Sequence, residues 1–108
     1  MNFENGIEVY KEAIELYSQT DDKEGLHTTY KNLLSTFLTN NRMNEAIPFL
    51  LDYADILDNK TEAITYINFA AFFYEENGDY AGVGYTYEKI GNIYKDLEDF
   101  PSAANAYE

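Results

Sequence analysis

Apolar residues recur along this chain at steps of three and four. From Tyr80 onward they fall at Tyr80, Val83, Tyr87, Ile90, Tyr94 and Leu97, which predicts a helix with one apolar face from end to end. The same rhythm gives Ile7, Tyr10, Ile14 and Tyr17, then Leu26, Tyr30, Leu33 and Phe37. A third series runs Met43, Ala46 with Ile47, Leu50, Ala54 and Leu57, and a fourth Ile64, Ile67, Ala71 and Tyr74. Phe100, Ala103 and Tyr107 begin another. Several helices carry a second apolar set, such as Leu34 with Leu38, or Ala63, Ala70 and Phe73, as expected where a helix touches neighbours on both sides. No period-two alternation competes, so strands are not predicted.

Turn signals punctuate the series at Thr20-Asp21-Asp22, Asn40-Asn41, Asp58-Asn59, Asn77-Gly78 and Glu98-Asp99, about every twenty residues. Asn77-Gly78 tolerates the left-handed conformation that ends many helices, and Asp79 is placed to cap the next one. The predicted helices are Phe3–Thr20, Lys23–Asn40, Asn44–Asp58, Thr61–Asn77, Tyr80–Leu97 and one from Phe100 onward. Pro48 lies early in the third and Pro101 opens the sixth, where a missing N–H costs little. Short connections make neighbouring helices antiparallel. The expectation is therefore an all-α chain of about six helices in antiparallel hairpins, one domain over residues 1–108 that belongs to a longer array. The sixth helix would be cut short at Glu108, leaving an apolar end for the rest of that array or for an isologous dimer.

Small residues recur in Glu12-Ala13-Ile14, Glu45-Ala46-Ile47, Glu62-Ala63-Ile64 and Ser102-Ala103-Ala104, where helices can approach closely. With Tyr87, Ile90-Gly91, Tyr94, Asp99-Phe100, Ala103 and Tyr107 the chain resembles the tetratricopeptide repeat, and Tyr30, Leu33-Leu34, Phe37, Met43, Ala46 and Leu50 give a second match. One helix per twenty residues or so resembles the longer-helix relatives of that repeat, the soluble NSF attachment proteins (SNAPs) above all. That likeness runs from Phe49 to Glu108 through Asn59-Lys60-Thr61-Glu62-Ala63-Ile64, Glu76-Asn77-Gly78-Asp79-Tyr80, Gly91-Asn92-Ile93-Tyr94 and Ala103 through Tyr107-Glu108. The resemblance implies a right-handed solenoid of helical hairpins and an adaptor that recruits a disassembly ATPase to SNARE bundles in vesicle transport. The same packing residues are shared with peptide-sensing regulators of the Rap or transcription-factor type, which stand as the alternative.

Charge narrows the choice of partner. Twenty acidic residues against seven basic give a net charge of -13, and the basic residues form no run or stripe. Such a field repels nucleic acid and anionic membranes and favours a neutral or basic protein or peptide. There is no secretory signal and no apolar run long enough to span a bilayer, so a cytoplasmic protein without integral membrane association is expected. The absence of cysteine removes disulfides, thiolate metal sites and cysteine nucleophiles together.

Candidate chemistry is sparse. His27 is the only imidazole and reads as a packed or solvent-facing histidine. Asp52/Asp55 and Asp55/Asp58 stand three apart without the histidines of a carboxylate metal site, and read as a solvated face. Gly82-Val83-Gly84 has no preceding strand and reads as packing rather than a phosphate loop. No enzyme, cofactor or metal site is expected. In the repeat-like segments Lys31, Ser35, Glu88, Asn92 and Lys95 fall off the packing stripes, at places that line the groove of tetratricopeptide arrays, and are the candidate binding residues.

Overall fold

The computed structural model describes residues 2–97. Within them every regular element is helical: α1 (Phe3–Tyr17), α2 (Lys23–Thr39), a 3-10 turn (Met43–Glu45), α3 (Ile47–Ile56), α4 (Lys60–Glu76) and α5 (Tyr80–Asp96). The fold class is the all-α, hairpin-built one that the periodicity predicts. The expected sixth helix, with Phe100, Ala103 and Tyr107, lies outside the described residues. The chain divides into two compact units between Phe49 and Leu50, each taken by itself.

In the first unit α1 and α2 pack as a hairpin. The Asn2 side chain caps α1 by accepting from the Asn5 N–H at 2.8 Å, and Asp22 caps α2 through the Gly25 N–H at 2.9 Å. The helix α1 ends three residues earlier than predicted. Its last carbonyls are taken up locally, the Ser18 hydroxyl donating to Ile14 O at 2.7 Å and the Thr20 hydroxyl to Tyr17 O at 2.9 Å. Ile7, Tyr30, Leu33, Leu34 and Phe37 are buried. Leu38, expected beside Leu34 on the apolar set, is instead 63% exposed.

The turn after α2 places Asn41 in the left-handed region, φ 56°, and Arg42 then ties the unit together. Its guanidinium takes Glu45 in a bidentate pair, Nε to Oε2 at 2.6 Å and Nη2 to Oε1 at 2.8 Å. Nη1 reaches Glu4 at 3.2 Å, and the guanidinium carbon sits 4.1 Å over the Phe3 ring. Phe3 meets Phe37 edge-on at 5.3 Å, and Phe37 stacks on Phe49 at 5.7 Å. The third helix begins at Ile47, not Asn44. An α-helix continued upstream would set the Pro48 ring against the Asn44 carbonyl, so the chain takes a 3-10 turn first and keeps Pro48 in the opening turn.

In the second unit α4 and α5 form the other hairpin. Asn59 caps α4 through the Glu62 N–H at 3.0 Å, and Asp79 caps α5 through the Gly82 N–H at 2.9 Å. Gly78 takes φ 75°, as the Asn77-Gly78 turn requires. The buried set is Leu50, Tyr53, Ala54, Leu57, Ala63, Ile67, Ala70, Ala71, Thr86, Ile90 and Gly91. Its small members let the helices approach, and Tyr53, with no exposed surface, meets Tyr66 edge-on at 4.9 Å.

The predicted stripe on α5 is only partly the buried one. Tyr80, Tyr87 and Leu97 are 72%, 44% and 53% exposed, while Thr86 is wholly buried. Thr86 donates to Val83 O at 2.6 Å, so its one donor is satisfied inside its own helix. Tyr87 lies one position round the helix, on its exposed side.

Candidate functional site

The second unit contains a cleft of about 180 Å³ lined by Ala54 and Asp55 of α3, Lys60 and Ile67 of α4, and Lys89, Asn92, Ile93 and Asp96 of α5. Its lining follows from helical spacing. Tyr85, Lys89, Asn92 and Asp96 stand at steps of four, three and four, which sets them in one row along α5. Ala54 and Ile67 are buried and make an apolar floor beneath a charged mouth.

Two contacts fix the lysines. Lys89 Nζ donates to Asp55 Oδ1 at 3.1 Å and lies 5.5 Å from the centre of the Tyr85 ring. Lys60 Nζ donates to the Leu57 carbonyl at 3.1 Å, satisfying an acceptor just past the end of α3. Burial pulls the Lys89 ammonium down, but the hydrogen bond to Asp55, the Asp55 charge and Tyr85 outweigh it, and its pKa is raised. Asp52, one turn before Asp55, is shifted the other way for a carboxylate. Burial first and the Asp55 charge second raise its pKa, against the pull of Lys89. An acidic row on α3 thus faces a mixed row on α5.

The five candidate residues are all exposed, and Asn92 alone among them lines the cleft. Lys31 and Ser35 share one face of α2, in the first unit, with Leu38 one turn further on. Glu88 and Lys95 stand on α5 outside the lining. Asp55 is more than a solvated carboxylate, because it holds Lys89. Lys60, Lys89 and Asp96 were not singled out from the sequence, and Asp55 was read only as part of a solvated face; the polar row on α5 was the available signal, and α3 and α4 supply partners that no spacing along one helix reveals. Gly82 is a packing glycine. A Cβ there would stand 2.6 Å from Tyr74 Cγ, whereas one at Gly84 would meet nothing within 4 Å.

Among the described residues no three histidine or acidic side chains come together to hold a metal, and no helix is long and apolar enough to cross a membrane. The family model described as soluble NSF attachment protein, SNAP, matches residues 2–108. The chain belongs to the SNAP family. No curated protein and no solved structure matches it. The SNAP family is in general one of helical adaptor proteins that interact with other proteins.

Proposed function

We propose that this SNAP-family chain is a non-catalytic, cytoplasmic adaptor in SNARE disassembly and vesicle transport, and that the proteins or peptides it binds are neutral or basic. The observation that carries the reading is the family match over residues 2–108, nearly the whole chain. The charge of -13 qualifies it. Seven dispersed basic residues build no basic face, so attraction to a strongly acidic helical bundle is absent and attraction to a basic surface is strong. Lys31 and Ser35 in the first unit, and separately Glu88, Asn92 and Lys95 in the second, are the proposed binding residues, because they are exposed on helices whose other faces are buried.

The test is equilibrium binding of the purified chain to an assembled SNARE bundle and to an NSF-type ATPase. The adaptor reading expects saturable binding to at least one of them, with no chemical change in either. Binding to neither overturns it. Tight binding to an acidic SNARE bundle at physiological salt, undiminished by screening, overturns the charge qualification and leaves the adaptor role standing.

A further inference from the structure

The outward face of α4 departs from local preference in two ways at once. Ala63, Ile67, Ala70 and Ala71 are buried on one side of the helix, and Thr65, Phe69, Phe72 and Glu76 follow at steps of four, three and four on the other. Phe69 is 49% exposed and Phe72 55%, an apolar pair in the middle of a solvent face. Glu75 and Glu76 then close the helix in its last turn, where no base stands and the negative end of the dipole disfavours them. Such departures gather at functional sites.

The two rings are held in place. Phe69 meets Tyr66 edge-on at 6.2 Å, and Tyr66 in turn meets the buried Tyr53 at 4.9 Å. Phe72 meets Phe73 edge-on at 5.1 Å. Rings braced in this way lose little freedom when a partner covers them, which is what an anchoring side chain needs.

Charge chooses the occupant. No lysine, arginine or histidine lies between Lys60 and Lys89, and no ion pair among the described residues engages Glu75 or Glu76. Lys60 opens α4, about 22 Å from Glu75 by helical rise, and Lys89 is paired with Asp55. The face is therefore apolar at its centre and acidic, without compensation, at one end. It repels nucleic acid and anionic lipid, and a second copy of the chain would bring only the same base-free surface to it. An extended strand would set its own N–H and C=O groups against a helix face that has none free to pair with them. A helix packs on a helix, ridges into grooves, with its backbone already satisfied.

We infer that the outward face of α4 docks an amphipathic helix of a protein partner, its apolar side on Phe69 and Phe72 and a lysine or arginine beside Glu75 and Glu76. The inference rests on the adaptor reading, which supplies the partner, and adds to it a surface on α4 that none of the five candidate residues occupies.

The test titrates the isotope-labelled full chain with a peptide of about 18 residues, leucine at every third or fourth position and lysine on the flanks. Two further peptides run in parallel, one with glutamate for lysine and one of the same composition with the leucines dispersed round the helix. Saturable shifts confined to Thr65 through Glu76 are expected from the first peptide alone. Phe69→Ala with Phe72→Ala weakens that binding about tenfold or more. Asn68→Lys, one turn before Phe72, weakens it while leaving both rings in place. Glu75→Gln with Glu76→Gln weakens it about fivefold and removes most of its salt dependence, whereas Glu12→Gln with Asp21→Asn takes the same charge from elsewhere and leaves it near the original value. Equal weakening by the two charge pairs would mean that the peptide answers net charge alone, and overturns the inference. Equal binding of either control peptide overturns it too, as do shifts that the Phe69, Phe72 and Asn68 variants leave unchanged. If the first peptide fails to bind while the chain still binds a SNARE bundle or the ATPase, the α4 assignment falls alone. If the peptide seats on α4 but neither protein binds, the adaptor reading falls alone.

Discussion

Two glycines only two residues apart show how local surroundings decide what a residue is for. Gly82 and Gly84 both lie in α5, where glycine costs about 0.5–1 kcal/mol relative to alanine. At Gly84 a methyl group enters open space, so Gly84→Ala is expected to stabilise the protein by about that amount. At Gly82 the methyl enters the Tyr74 ring close to its attachment at Cγ, and overpacking of this kind costs about 1–3 kcal/mol. Gly82→Ala is therefore destabilising despite its better helix propensity. Chemical denaturation of both variants checks the pair, and equal stabilisation in the two would show that Tyr74 moves aside freely. The sequence marks both glycines as packing residues, but it does not separate them. The difference rests on a ring that comes from another helix, eight residues earlier in the chain. Thr86 makes the same point from the opposite side. Hydropathy reads it as polar and Tyr87 as apolar, yet the threonine is buried because its hydroxyl is satisfied within α5.

At the scale of elements the caps were legible and the irregular joints were not. Asp79 and the Asn77-Gly78 turn act as the residue types require, because a cap depends only on its immediate neighbours. The start of α3 depends instead on two competing signals, the apolar period through Met43 and Ala46 and the ring of Pro48, and sterics prevail over period. Arg42 was invisible as an organiser, since its partners Glu4 and Phe3 lie far away in sequence. It ties the beginning of α1 to the 3-10 turn. Its hydrogen bonds hold Glu45 below the ordinary carboxylate range, and Glu4 is held low by its backbone hydrogen bond first and Arg42 second. A depressed carboxylate pKa gives stability that is present above the unfolded value and lost as pH falls through the folded one. Arg42→Met should therefore lower the melting temperature modestly at pH 7 and flatten its decline in acid, below the ordinary glutamate value. A melting curve measured from pH 7 to pH 3 for both chains checks it. An unchanged acid arm would mean that the guanidinium contacts contribute nothing to folding.

For the whole molecule, charge decides the response to solution conditions. The described ion pairs engage Lys11, Arg42 and Lys89, all at least partly exposed, and pairs of that kind add little to stability because solvent screens them. Against them stands the mutual repulsion of the carboxylates left over in a net charge of -13. Salt weakens both effects, and the sign of its net action shows which is larger. Because uncompensated carboxylates far outnumber the paired ones, repulsion prevails, and salt is expected to raise the melting temperature at pH 7. The rise should be steepest as the screening length falls from about 30 Å at 0.01 M to about 8 Å at 0.15 M. Mild acid acts in the same direction. Asp52, whose pKa is raised by burial and by Asp55, holds a proton more tightly when folded, so stability increases as pH falls through its folded value. Further acid reverses this once Glu4 and Glu45 are protonated and release Arg42, which places the maximum in the mildly acidic range. The decisive measurement is the melting temperature across salt at pH 7. A fall with added salt would show that the few attractive pairs outweigh the excess negative charge, and would remove the electrostatic basis for preferring basic partners.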